Sequence, residues 1–142
     1  MKWVRMSTQL KESPELTNKQ TLVMNLLRKT KGSLGAYAIL DELHDSGFRS
    51  PVQVYRALEK LIELGLVHRL ESLNAFVACQ QKTCYSKSKE TIMFTICEIC
   101  GCVQELVNNG LVHLVRSLEK DIDFLANRSV IELKGICSTC KD

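Results

Sequence analysis

Two Cys-x-x-Cys pairs stand near the end of the 142-residue sequence: Cys97 with Cys100, and Cys137 with Cys140. Two intervening residues let the chain turn so that both sulfurs of a pair point at one metal ion. Together the pairs supply the four thiolates that zinc prefers in closed, tetrahedral structural sites. The 36 residues between the pairs exceed the spacing of compact zinc ribbons, so the site must close around a small folded unit. The sequence therefore predicts a structural zinc site made of these four cysteines.

The same cysteines could instead form two disulfides or a dithiol redox centre. Disulfide frameworks belong to secreted proteins, and residues 1–10 hold basic residues but no apolar segment of a secretory signal. Seven cysteines is an odd number, which fits poorly with complete pairing. No run approaches the roughly 18 apolar residues of a membrane span. We therefore expect a cytoplasmic chain without a membrane partner, with reduced cysteines that bind metal.

The charge of the chain is unevenly distributed. Residues 1–78 carry 11 Lys and Arg against 8 Asp and Glu, whereas residues 79–142 carry 8 of each. All of the net charge of +3 therefore lies in the half without the Cys pairs. This mild excess permits an interaction with nucleic acid and does not demand one.

Residues 17–65 contain three segments with the apolar spacing of helices. The first begins at an N-cap Thr17 and ends before Gly32, and the second covers about residues 35–46. The third has Ser50 at the N-cap, Pro51 at the first helical position and Gly65 after its end. The side chains expected to face the core are Leu22, Val23, Leu26 and Leu27 in the first helix, Tyr37, Leu40 and Leu43 in the second, and Val54, Leu58 and Leu61 in the third.

Beyond Gly65 the pattern becomes that of short strands. Residues 66–70 and 75–79 are joined by four residues and predict a β-hairpin. Three helices followed by a hairpin is the element order of a winged helix-turn-helix module, whose third helix enters the DNA major groove. Residues 80–90 are polar and predict a linker. After it we expect paired strands at 91–96 and 102–107, a helix at 111–125 with one apolar face, and a strand at 129–136.

Several runs of this sequence resemble the ferric uptake regulator (Fur) superfamily. They are PVQVYRAL at residues 51–58, GLVH at residues 65–68, and the two Cys pairs, the first followed by Gly101. The similarity extends over residues 16–140. Within it, the run VHRLESLNAFVAC at residues 67–79 resembles the zinc uptake regulator (Zur) branch.

The resemblance implies a bacterial, dimeric, zinc-dependent repressor of zinc-acquisition genes that binds a palindromic DNA operator with zinc as co-repressor. It implies an α+β protein with a winged-helix DNA-binding domain at residues 1–79, a hinge at 80–90, and an α/β dimerisation domain with the four-cysteine site at 91–142. It implies no enzymatic activity and no small-molecule substrate.

A second, regulatory zinc site follows from the resemblance position by position. Its expected ligands are His68, Cys79 and Glu105, which would come from both sides of the predicted hinge, so that two zinc ions would bind per chain. The fourth family ligand is a histidine before the first Cys pair, and this sequence lacks it. Either Glu90 or Cys84 could replace it, or the site could be weak or decayed.

Zinc is favoured over iron because the chain has only three histidines and because a thiolate at Cys79 is a soft ligand. A relative that senses iron or peroxide stays an alternative. A thiol-redox enzyme is disfavoured because both Cys pairs flank predicted strands, and neither opens a helix. A zinc-stapled dimer without a metal response is a further alternative.

The third helix offers four polar side chains to DNA: Gln53, Tyr55, Arg56 and Lys60. Arg can pair with guanine and Gln with adenine, while Tyr and Lys commonly hold phosphates. Tyr55 and Arg56 are the favoured contacts. Gln53 also fits a capping box with Ser50 and could bond the start of its own helix. Arg56 and Lys60 could equally be a solvated helix face.

Overall fold

The computed structural model describes residues 15–80 and 91–141. Over these residues the chain forms helices followed by a hairpin, and then a small sheet with a further helix. The elements are α1 (Asn18–Lys29), α2 (Ala36–Glu42), a short 3-10 turn (His44–Ser46), α3 (Pro51–Glu63), β1 (Val67–Leu70), β2 (Ala75–Ala78), β3 (Thr91–Cys97), β4 (Val103–Leu106), α4 (Asn109–Asp121) and β5 (Ser129–Gly135).

The first three helices pack around one apolar core. As predicted, Thr17 is the N-cap of α1 and Pro51 stands in the first turn of α3. Thr17 also forms a capping box with Gln20. Val54, Leu58 and Leu61 are buried along one face of α3. They meet residues of α1, α2 and the hairpin, among them Val23, Leu27, Ile39 and Phe76.

The inward face of α2 differs from the prediction at Tyr37, whose side chain is 68% exposed. Leu43 is buried as predicted, and Ala36 and Ile39 are buried where Tyr37 was expected. The α-helix covers only seven residues, so its apolar spacing is too short to define a face, and packing against α1 and α3 decides which side turns inward.

The hairpin β1–β2, which we call the wing, is antiparallel with Val67 opposite Ala78 and Leu70 opposite Ala75. Asn74 closes its turn with a φ of 48°, in the left-handed region that Asn tolerates better than most residues. An isolated antiparallel β-bridge between Leu34 and Phe76 connects the wing to the segment between α1 and α2. The described helices and the wing together make the predicted winged helix-turn-helix.

The second half forms a three-stranded sheet in the order β4-β3-β5. Strands β3 and β4 form an antiparallel pair, whereas β5 returns through α4 to lie parallel to β3. Phe94 is the central residue of one cross-strand row, with Glu105 on one side and Glu132 on the other. The molecule is thus an α+β protein, as predicted.

A second apolar cluster joins the wing to this sheet. Leu70 and Val77 of the wing pack against Phe94, Ile96 and Val103 of the sheet, and all five side chains are at most 4% exposed. Burial of this kind contributes on the order of 1.5–3 kcal/mol per large apolar side chain. A buried apolar contact therefore joins the wing to the sheet.

Helix α4 covers little of this core. Its apolar residues Leu114 and Leu118 are 67% and 57% exposed, although they share one face with Leu111 and Val115. Leu133 on β5 is 52% exposed as well. Within the described part of the chain, no helix has the length and apolar character needed to cross a membrane.

Candidate metal centres and DNA-reading helix

The four-cysteine site is assembled by the parallel pairing of β3 with β5. Cys97 is the last residue of β3 and lies opposite Gly135 near the end of β5, so the two strands deliver their Cys pairs to the same end of the sheet. The four sulfurs of Cys97, Cys100, Cys137 and Cys140 all lie within 4.8 Å of one another. None of these four cysteines is disulfide-bonded.

Their spacing fits zinc. The sulfurs of Cys100 and Cys137 are 3.7 Å apart. A tetrahedron with Zn–S bonds of about 2.3 Å has sulfurs roughly 3.8 Å apart. The site therefore needs little rearrangement to hold the ion.

The thiols of this cluster differ in their pKa values. Backbone N–H groups of Cys100 and Cys137 lower the pKa of Cys97 to about 6. A hydrogen bond with the Cys137 sulfur, together with burial, raises the pKa of Cys140 to about 12. For Cys100, the Cys102 backbone N–H favours the thiolate, but its sulfur neighbours and burial outweigh that effect and raise its pKa. Four thiolates cannot coexist so closely without a cation, and a bound divalent metal would supply one.

A second cluster of metal-ligating atoms lies between the wing and the sheet. It contains His68 on β1, Cys79 just past β2, and Glu105 on β4, with their ligand atoms within 4.8 Å of one another. His68 Nε2 is 3.3 Å from Glu105 Oε1, and the Cys79 sulfur is 3.8 Å from the same oxygen. We call this the three-ligand site. The structure thus brings together the three residues that the sequence assigned to the regulatory site.

The ring of His68 shows why a metal fits here. The residue is 7% exposed and its ring packs against Phe94 with centroids 5.5 Å apart. Its Nε2 atom is buried and makes no hydrogen bond of acceptable geometry, even though Glu105 is close. An unsatisfied buried nitrogen costs about 1–3 kcal/mol. A metal ion at this position would remove that cost, and the mixed nitrogen, sulfur and oxygen donors suit zinc.

Glu105 is held in place by Gln80, a residue that the sequence reasoning missed. The Gln80 backbone N–H donates to Glu105 Oε2 at 3.0 Å, and the Glu105 N–H donates to Gln80 Oε1 at 3.1 Å. Burial alone would raise the pKa of the Glu105 carboxyl, but the adjacent His68 ring and the hydrogen bond from the Gln80 backbone N–H outweigh it and lower that pKa. The carboxylate is thus kept ionised and ready to bind a cation.

The oxidation state of Cys79 differs from the sequence expectation of reduced cysteines. Cys79 is disulfide-bonded in this structure. Because the thiolate is the form that ligates metals, Cys79 must be reduced before the three-ligand site can bind zinc through sulfur. The proposed fourth ligands, Glu90 and Cys84, both lie outside the described residues.

Helix α3 carries the candidate DNA contacts. Tyr55 is 37% exposed, and Arg56 is exposed beside it. Gln53 accepts a hydrogen bond from the Arg49 backbone N–H at 2.8 Å, so its side chain is engaged at the start of its own helix, although not with Ser50. Lys60 forms an exposed ion pair with Glu63 at 3.4 Å. Tyr55 and Arg56 are thus both exposed on α3, and their contact with DNA stays a prediction.

Comparisons with known proteins agree with this geometry. No protein-family model matches the chain. The chain is 33% identical over 126 residues to the zinc uptake regulation protein of Escherichia coli (strain K12), covering 88% of this chain and 72% of that protein. A solved zinc uptake regulator complexed with zinc and DNA has a TM-score of 0.81 at 31% identity, covering 92% of this chain and 85% of that one.

A second solved structure, holo XcZur, gives a TM-score of 0.79 at 31% identity, covering 92% of this chain and 89% of that one. Both likenesses cover 92% of this chain, and they confirm the resemblance seen in the sequence. The chain belongs to the zinc uptake regulator (Zur) branch of the ferric uptake regulator superfamily.

Proposed function

We propose that this protein is a zinc-responsive transcriptional repressor of zinc-uptake genes, acting in the bacterial cytoplasm. One observation carries the proposal: His68 and Cys79 approach from the wing side and Glu105 from the sheet side of a single candidate metal site. Relatives named as zinc uptake regulation proteins, and one solved in complex with zinc and DNA, support it.

The position of the three-ligand site between the wing and the sheet suggests how zinc would act. A ligand that binds one arrangement better shifts the population toward that arrangement. With ligands on both sides, the site can hold zinc fully only when the wing lies against the sheet. The DNA-reading helices would then keep one spacing, and a coupling of about 1–3 kcal/mol would raise DNA affinity roughly 5–150-fold.

We propose two zinc ions per chain with different roles. The four-cysteine site is closed and uniform in sulfur, as structural zinc sites are, and would stay loaded. The three-ligand site has mixed donors and would exchange zinc as the free concentration changes. Cys84 or Glu90 would supply its fourth ligand, with sulfur from Cys84 giving the tighter site and oxygen from Glu90 the weaker one.

The proposed active form is a dimer on a palindromic operator. The exposed apolar face of α4, with Leu114 and Leu118, and the exposed Leu133 of β5 offer an apolar surface that a second copy could cover. A two-fold protein reads a two-fold site. On each half-site, Arg56 would contact base edges and Tyr55 the phosphates.

A second candidate function is a zinc-stapled DNA-binding dimer with no metal response. Two observations favour it: the family histidine is missing before the first Cys pair, and Cys79 is disulfide-bonded. The two candidates share the four-cysteine site and differ in whether the three-ligand site binds zinc reversibly.

The deciding experiment measures zinc per chain and DNA binding in the same samples. The probe is a duplex selected from a random pool by the reduced, zinc-loaded protein, and free zinc is lowered with a chelator series. The proposal expects two zinc ions per chain, with the weaker one leaving as the gel shift is lost. His68→Ala should keep one zinc and bind DNA weakly, whereas His44→Ala, an exposed control, should match the wild type. One zinc with unchanged DNA binding would favour the stapled dimer.

A further inference from the structure

The tip of the wing is bound by an acidic side chain from the sheet. The Glu71 backbone N–H donates to Glu132 Oε1 at 2.8 Å, and the Ser72 backbone N–H donates to Glu132 Oε2 at 3.2 Å. These residues lie 61 and 60 positions apart in sequence. Each oxygen of the carboxylate thus accepts one hydrogen bond from a backbone N–H of the turn. Hydrogen bonds to an ionised acceptor are roughly twice as strong as those between neutral groups.

Glu132 lies in the same cross-strand row as a residue of the three-ligand site. Phe94 is paired with Glu105 on β4 and with Glu132 on β5. Residues paired in this way point to the same face of a sheet. With strands about 4.8 Å apart, Glu105 and Glu132 are separated by roughly 10 Å. The sheet therefore presents two carboxylates to the wing, with the buried Phe94 ring between them.

The two carboxylates meet different parts of the wing. Glu105 lies at His68 and Cys79, near the base, and Glu132 meets the turn at the tip. Phe94 fills the space between them, against His68 and within the apolar cluster that includes Leu70 and Val77. A single polar attachment leaves an element free to pivot about it. A second attachment roughly 10 Å away restricts that pivot.

We propose that Glu132 is a positioning residue of the zinc response: its carboxylate fixes the orientation of the wing tip, so that zinc binding at the wing base sets the orientation of the whole winged-helix domain. This inference rests on the proposed regulatory role of the three-ligand site. Because the Glu132 contact and the zinc site need the same closed arrangement, each favours the other. Loss of the contact lowers the fraction of binding-competent protein, and the apparent zinc affinity falls by the same factor.

The test compares Glu132→Ala and Glu132→Gln with the wild type and with Glu42→Gln. Glu132→Gln keeps the size of the side chain and one acceptor oxygen. The control Glu42→Gln removes the same charge at an exposed position on α2. Two quantities are measured on reduced protein: zinc affinity at each site by chelator competition, and hydrogen exchange of the Glu71 and Ser72 backbone amides.

We expect Glu132→Ala to weaken zinc binding at the three-ligand site by about tenfold, and Glu132→Gln to weaken it less. Amide exchange at Glu71 and Ser72 should accelerate in the same order. Zinc affinity at the four-cysteine site should stay unchanged, which separates this positioning role from a general loss of folding. Glu42→Gln should leave every quantity at its wild-type value.

Unchanged amide exchange at Glu71 and Ser72 in Glu132→Ala would overturn the inference, as would equal zinc affinity of the three-ligand site in all variants. Failure of the proposed function has a different signature: the wild-type protein would gain no DNA affinity with zinc. In that case the amide exchange alone still decides whether Glu132 holds the wing tip.

Discussion

Single side chains distinguish the two candidate metal sites by the protons that they carry. In the four-cysteine site, Cys97 has a pKa of about 6, while the pKa values of Cys100 and Cys140 are raised. In the three-ligand site, the lowered pKa of Glu105 leaves that carboxyl ionised at neutral pH. Metal binding must therefore displace several protons at the first site, and none from Glu105 at the second.

This difference predicts a steep pH dependence of zinc affinity at the four-cysteine site. Between pH 7 and 8, Cys97 is already a thiolate, but Cys100 and Cys140 are thiols and must each release a proton on binding zinc. The affinity should therefore rise by roughly 100-fold or more per pH unit. Chelator competition measures it, with Cys102→Ser as a control that leaves the slope unchanged. An affinity that does not vary over this range would contradict the assignment of these thiols as ligands.

The disulfide at Cys79 predicts that the second zinc depends on reduction. Oxidised protein should bind zinc only at the four-cysteine site, because a disulfide sulfur is not a thiolate ligand. A phosphine reductant should restore a second zinc, counted by native mass spectrometry. The same zinc count before and after reduction would show that the Cys79 sulfur takes no part in metal binding.

At the scale of elements, the sequence was most informative where local rules decide the structure. The capping residues and apolar stripes of α1 and α3, and the hairpin, depend on neighbours within one element, and they were predicted. The prediction that Tyr37 faces the core was wrong, because a helix of seven residues is too short for its apolar spacing to define a face. Gln80 and Glu132 could not be found at all, because their partners lie 23 or more positions away and nothing in the local sequence marks them.

Helix α4 provides the prediction about assembly. Leu118→Asp should disrupt the proposed dimer, because it places a charge on the exposed apolar face of α4, which a second copy would bury at a cost of several kcal/mol. Ser117→Asp adds the same charge to the same helix on another face and should leave the dimer intact. Sedimentation velocity distinguishes the two species. A dimer of unchanged affinity in Leu118→Asp would place the interface elsewhere.

At the scale of the whole molecule, the winged helix touches the sheet domain at the four-cysteine turn as well as through the wing. A Cβ atom added at Gly32, just past α1, would lie 2.5 Å from the backbone oxygen of Gly101. Gly101 follows Cys100 directly and has a φ of 76°. The turn that carries one Cys pair therefore approaches the backbone of the winged helix too closely to admit a side chain between them.

Gly32→Ala should consequently push the two domains apart. We expect it to weaken zinc binding at the three-ligand site and DNA binding by about fivefold or more, while the four-cysteine site keeps its zinc. Gly35→Ala is the matched control, since the nearest atom to its added Cβ is 3.8 Å away. Equal zinc and DNA affinities in the two variants would show that the close approach at Gly32 does not contribute to the closed arrangement.

The most direct test of the whole account is thermodynamic reciprocity between zinc and DNA. If zinc at His68, Cys79 and Glu105 favours the DNA-binding arrangement, the DNA must raise zinc affinity at that site by the same factor by which zinc raises DNA affinity. The measurement is the zinc affinity of reduced protein with and without the selected duplex, in the wild type and in His68→Ala. We predict a rise of roughly 5–150-fold in the wild type and none in His68→Ala. A wild-type zinc affinity that DNA leaves unchanged would contradict the central claim.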